Sequence, residues 1–215
     1  FSARGLIKMS NVTLVCTTDD PADTLEYHAQ MKDFSTKILP TFRPDKAVEI
    51  ANDIFIPYIE MIGVKTYDEL VEWIVSRIEF FASMGCRLSD HAMGYVPFAT
   101  GDASAAFEKR MNGEALTQYE IDSFKTAIFK VCAKEYARLG WTMQIHIGAL
   151  RNNNKRMFEK LGPDTGFDVI GPHDSTADLA KLLDSMYSED ALPRTILYSL
   201  DPGDNAFLDT IIGAF

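Results

Sequence analysis

No two histidines in this sequence are spaced as His-x-His or His-x-x-x-His, so it carries no self-contained zinc pattern. The four histidines stand apart, at 28, 91, 146 and 173. Neither G-x-G-x-x-G nor G-x-x-x-x-G-K-[ST] occurs, which leaves dinucleotide and P-loop nucleotide binding without support. No apolar run approaches the roughly 20 residues that a membrane span needs, so no membrane partner is expected. The N-terminal FSARG lacks a basic stretch followed by an apolar one, so no secretory signal is expected; it also lacks an initiator Met, which suggests a processed or truncated chain. Lys and Arg number 21 against 31 Asp and Glu and form no cluster, so a nucleic-acid partner is not expected either. Only three cysteines are present, at 16, 86 and 132, odd in number and set in apolar surroundings. They read as reduced thiols of a cytoplasmic protein, and none lies in a nucleophile motif.

What the sequence does contain is enough apolar material, 47% of residues, to bury a sizeable core. No repeat or linker divides it, so residues 1–215 read as one domain. A short β-rich run, a polar cluster and a helical pattern recur in that order, the alternation of parallel α/β architecture. Runs at 11–17, 36–42, 86–89, 141–147 and 195–200 read as strands. Helices are expected at 22–32, 47–62, 67–84 and 114–139, from a capping box at 175–178, and from 206 onward. Residues 92–113 read as an irregular excursion. Each strand begins apolar and ends in ionisable or amide side chains, and carboxyl ends of strands are where α/β sheets and barrels carry chemistry.

The strand at 141–147 is the most informative. Alternation puts Thr142, Gln144 and His146 on one face and Met143, Ile145 and Ile147 on the other. If the apolar side packs on helices, His146 faces a shared polar site; otherwise it is a structural histidine. Arg43 ends the second strand, and Pro44 keeps it out of helical geometry. A guanidinium fixed there suits a carboxylate or phosphate, or a surface ion pair. Arg151 adds a second cation, and Asn152, Asn153 and Asn154 offer amides for sugar hydroxyls or a helix cap. Asp90 and His91 end the third strand; Asp90 suits acid–base work or an N-cap. Asp19, Asp20, Asp201, Asp204 and Asn205 fit turn or cap chemistry equally well. His28 and His173 are not expected to be catalytic.

TTDDPADTLEYH (17–28), FRPDK (42–46), CRLSDH (86–91), MQIHIGALRNNN (143–154), LGPDTGFD (161–168), LPRTILY (192–198) and PGDN (202–205) together resemble the uronate (glucuronate) isomerase family of amidohydrolase-like barrels. The resemblance covers nearly the whole chain. It implies a (β/α)₈ TIM-type barrel, here incomplete, with about five parallel strand–helix units and helical insertions. It implies aldose–ketose isomerisation of a hexuronate, D-glucuronate to D-fructuronate or D-galacturonate to D-tagaturonate, by proton transfer through an enediol. By motif match, His146 and Asp90 are the catalytic contributors, and Arg43, Arg151 and Asn205 bind substrate. The family is about twice as long, and its first-strand His-x-His and last-strand Asp have no counterpart here. The chain therefore resembles an internal portion, expected to be inactive alone. No cofactor or metal ligand is assigned to it; a divalent ion such as zinc belongs, if anywhere, to the full-length parent. The expected partners are the hexuronate and, at most, further copies of the chain. A metal-dependent hydrolase on the same barrel and a non-catalytic sugar-acid-binding remnant are the alternatives.

Overall fold

The computed structural model describes residues 2–171 and 176–215. The capping box at 175–178 and His173 therefore fall wholly or partly outside the described residues. Seven strands are described: β1 Leu14–Cys16, β2 Lys37–Leu39, β3 Leu88–Met93, β4 Thr142–Ile147, β5 Ala149–Leu150, β6 Val169–Ile170 and β7 Arg194–Ser199. The helices are α1 Ala3–Met9, α2 Glu26–Gln30, α3 Asp45–Val48, α4 Phe55–Ile62, α5 Tyr67–Ser83, α6 Ala103–Met111, α7 Gln118–Leu139, α8 Lys155–Leu161, α9 Thr176–Tyr187 and α10 Asn205–Ala214.

The expected parallel α/β arrangement is present. β1 pairs with β2, and β3, β4 and β7 form a second sheet in that order, every pairing parallel. Phe42 joins the two sheets: its N–H donates to Leu88 O at 3.1 Å, and its carbonyl accepts from Asp90 N at 2.9 Å. On its other side, Arg43 N donates to Asp19 O and Asp19 N to Thr41 O, both at 3.0 Å. Five parallel segments thus succeed one another in chain order. Among the described residues, no strand pairs with the free edges of β1 and β7.

The core lies under one face of this array. Met143, Ile145 and Ile147 are buried, whereas Thr142, Gln144 and His146 are only partly so, the division that strand alternation predicts. Trp141 stacks on Tyr136 of α7 with ring centres 5.5 Å apart, and Phe42 meets Phe81 of α5 edge-on at 5.1 Å. Such rings bury large apolar areas and lock the helices to the sheet. α5 places Leu70, Ile74, Ile78 and Phe81 in the core at helical spacing. Its Thr66 cap accepts from Glu69 N, and Gly85, at φ +92°, ends the turn that follows.

α7 opens with a reciprocal capping box in which Thr117 accepts from Glu120 N and Glu120 accepts from Thr117 N. Thr117→Ala removes one side of that exchange. We expect a loss of about 1 kcal/mol, read as a lower urea midpoint with unchanged slope.

Several elements differ from the sequence reading. The helix expected at 22–32 shrinks to α2, because Asp20 and Asp23 accept from Ala22 N and Leu25 N and hold turns instead. The helix expected at 47–62 splits into α3 and α4 where Asn52 accepts from Ile54 N. The excursion at 92–113 contains α6, capped by Asp102 on Ala105 N. α1, capped by Ser2, lies where no helix is expected and buries none of its residues. The third strand begins and ends later than expected, at 88–93, because Leu88 to Met93 pair in unbroken register with β4. Asp90 and His91 are therefore mid-strand, on opposite faces.

Candidate active site

Three consecutive strand segments supply touching side chains. Arg43, just past Phe42, donates from Nε to Asp45 Oδ2 at 2.7 Å. Its Nη1 lies 3.3 Å from Asp90 Oδ2 on β3. The other Asp90 oxygen, Oδ1, is 2.8 Å from Nδ1 of His146 on β4. Neither of those last two buried atoms makes a well-directed hydrogen bond, so the approach is a close electrostatic contact and becomes an ion pair only when His146 is protonated. Thr18 Oγ1 reaches Asp90 Oδ2 at 3.5 Å, the outer limit of a hydrogen bond.

The third flank of His146 is Tyr198 on β7. The two residues are register partners, and their rings stack at 4.3 Å with planes 2° apart. Tyr198 OH donates to Gln144 Oε1 at 2.9 Å, one pleat down the same face.

Burial acts against the charge on Arg43, but Asp45 first and Asp90 next outweigh it and hold the guanidinium above its ordinary range. Loss of water raises the Asp45 carboxyl, and Arg43 only partly offsets this. Arg43 is thus a permanently charged fork fixed by two carboxylates.

Beyond β4 the chain leaves the sheet at Gly148 (φ +84°) and returns through the short antiparallel pair β5–β6. Arg151 lies on this excursion. Its Nη1 is 3.0 Å from Asp168 and 3.5 Å from Asp164, whose side chain is 80% exposed. Pairs this open are worth little, so Arg151 can exchange them for another anion at small cost. A cavity of about 450 Å³, within the usual range for small ligands, is lined by Arg43, Asp45, His146 and Arg151. Glu49, Tyr95 and Lys125 line it as well. A second cavity of about 560 Å³ has His146, Arg151, Tyr198 and Leu200 in its walls.

Arg43, Asp90, His146 and Arg151, expected from sequence to share a site, are therefore together. Asn205 is not with them: it is an exposed residue opening α10 and lines neither cavity. The reason is local, since 202–204 form a 3-10 turn, with Asp201 accepting from Gly203 N, that turns the chain into α10. Asn154 caps α8 through Met157 N, the cap alternative, whereas Asn152 lines the first cavity. His28 accepts or donates at Thr17 Oγ1, 2.8 Å away, beside Asp19 and apart from both cavities.

Asp45, Tyr198 and the Glu49–Lys125 pair were not singled out by sequence. Lys125 is buried yet joins Glu49 at 2.6 Å, and its position on the apolar face of α7, next to Phe124, was the available signal. Asp45, in the first turn of α3, is indistinguishable in sequence from a helix-start acid.

Comparison with known proteins bears on the whole chain. The sequence profile of the glucuronate isomerase family matches residues 1–215. A uronate isomerase of Caldicellulosiruptor saccharolyticus is 49% identical over 227 residues, covering 100% of this chain and 49% of the relative. One from Bacillus pumilus is 46% identical over 226 residues, covering 100% of this chain and 47% of the relative. The chain thus spans about half the length of the curated relatives it matches. The crystal structure of a Thermotoga maritima uronate isomerase superposes with a TM-score of 0.92 at 33% identity, over 99% of this chain and 49% of the other. A Caulobacter crescentus glucuronate isomerase shares the fold, with a TM-score of 0.82 at 24% identity over 95% of this chain and 44% of the other.

Proposed function

The chain belongs to the glucuronate isomerase family, and from that premise we propose that the full-length protein carrying it interconverts a hexuronate aldose and its ketose. The single observation that carries the reading is the run of contacts Arg43–Asp90–His146 across three neighbouring strand segments, with Arg151 on the same cavity. Aldose–ketose exchange needs a base to take the proton from C2, an acid to return one at C1, and a proton path between O2 and O1. His146 and Asp90, in contact at 2.8 Å, are the acid–base pair of the proposal. Arg43 and Arg151 supply positive charge for the anionic substrate.

The proposal extends to the architecture. Parallel strands that succeed one another in chain order, with edges on β1 and β7 that are free among the described residues, suit a TIM-type barrel closed by strands from the rest of the full-length protein, with 1–215 as one part of it. Ile196 and Leu200, exposed at 42% and 53%, would be covered by such closure. Among the described residues there is no group of three or more His, Cys, Asp or Glu side chains placed to hold a metal ion.

Arg43→Ala in the full-length protein should raise KM for D-glucuronate about 10- to 100-fold, the worth of one charged hydrogen bond of about 1.5–3 kcal/mol. Arg43→Lys should not restore it, because a compact ammonium does not reproduce the planar fork that Asp45 and Asp90 hold in place. An unchanged KM in Arg43→Ala contradicts this role.

A further inference from the structure

We propose that Tyr198 is a positioning residue for His146, and that its ring stabilises the protonated imidazole during proton transfer. The inference rests on the acid–base role proposed for His146. It starts from register: β4 and β7 are parallel, and His146 and Tyr198 are direct partners on the same face. Their rings are parallel within 2° and stacked, with centroids 4.3 Å apart. The Tyr198 hydroxyl is tied to Gln144, two residues before His146 on the same pleat. That bond fixes the tyrosine ring from its far end, so the ring forms one wall for the imidazole while Asp90 forms the other.

The geometry has a chemical consequence. A neutral imidazole gains little from lying flat on a phenol ring, whereas an imidazolium is attracted to its negative face. The charges around His146 come from each packed element. Asp90 is on β3, Arg43 and Asp45 follow β2, Arg151 with Asp164 and Asp168 lies on the excursion after β4, and His91 stands on the opposite face of β3. Asp90 favours the protonated ring and the arginines oppose it. Tyr198 adds to the first side without adding charge, and it also stops the ring from rotating off Asp90. His146 and Tyr198 both line the second cavity, so the stacked pair forms part of its wall.

The test uses the full-length protein with Tyr198→Leu and Tyr198→Phe, and two readouts. The first is the histidine-ring NMR titration of His146, which needs no turnover; the second is kcat and KM for D-glucuronate against pH. Tyr198→Leu is expected to lower the His146 midpoint by about half a unit to one unit. It is also expected to lower kcat about 3- to 10-fold with KM within about twofold, and to move the kcat profile the same way. Tyr198→Phe keeps the ring and should restore both. An unshifted His146 midpoint in Tyr198→Leu overturns the proposal. So does a Tyr198→Phe protein that behaves like Tyr198→Leu, since the hydroxyl and not the stack would then be responsible. A shifted midpoint together with a fully active His146→Gln protein would instead remove the acid–base assignment of His146 and leave the stacking effect in place.

Discussion

His146→Gln in the full-length protein should lower kcat for D-glucuronate about 100- to 10,000-fold, the usual contribution of a positioned acid–base group. Gln keeps side-chain bulk and one donor but cannot shuttle a proton. KM should move little, because His146 carries no permanent charge for the substrate to meet. Asp90→Asn should cost a comparable factor, since Asp90 touches both His146 and Arg43. The double substitution should cost far less than the product of the two, because residues in direct contact act as one unit. A His146→Gln protein within about tenfold of the wild type would contradict the assignment, and so would fully multiplicative effects.

The second large effect is on stability in acid. His91 is buried on the core face of β3, between Phe129 at 4.7 Å and Tyr136 at 5.7 Å, with neither ring nitrogen hydrogen-bonded. Burial, then Arg43 and His146, holds its pKa down at about 3, against 6.5 when unfolded. Below pH 6.5 the unfolded chain therefore binds a proton that the folded chain refuses. Stability is fully present above pH 6.5 and falls progressively as the pH drops toward 3. At pH 4 the loss is about 3 kcal/mol. His91→Phe, which suits its aromatic neighbours, should be at least as stable at pH 7 and should lose this component between pH 6.5 and 4. Urea unfolding of both proteins across that range measures it. Identical pH slopes would show that His91 is not the group responsible.

These two histidines also show how far the sequence could be read. Alternation in 141–147 was enough to separate His146 from the core, because Met143, Ile145 and Ile147 are an unbroken apolar face. The same argument failed for the third strand. Of the expected run Cys86 to Ser89 only the last two residues belong to β3, and Leu88-Ser-Asp-His-Ala-Met93 has no clean apolar alternation to mark Asp90 and His91 as opposite-facing. The pairing with β4 settles that, and pairing is a non-local fact. Arg43 was legible through Pro44, but its partner Asp45 was not, since a first-turn acid normally serves the helix. Motif match alone groups Asn205 with the site, whereas the 3-10 turn at 202–204 passes it into α10 as an exposed residue. The breaks at 20–25 and 49–54 depended on Asp and Asn side chains bonding their own backbone, a competition that helical periodicity does not register.

Carbon NMR of the full-length protein acting on D-glucuronate labelled with ¹³C at C1 tests the central reading most directly. Isomerisation turns the labelled hemiacetal carbon into a primary alcohol carbon beside a new ketone, with no change in mass. That signal should grow to an equilibrium mixture and be lost in His146→Gln. No such signal from D-glucuronate or D-galacturonate, at enzyme concentrations that bind either sugar acid, would contradict that reading.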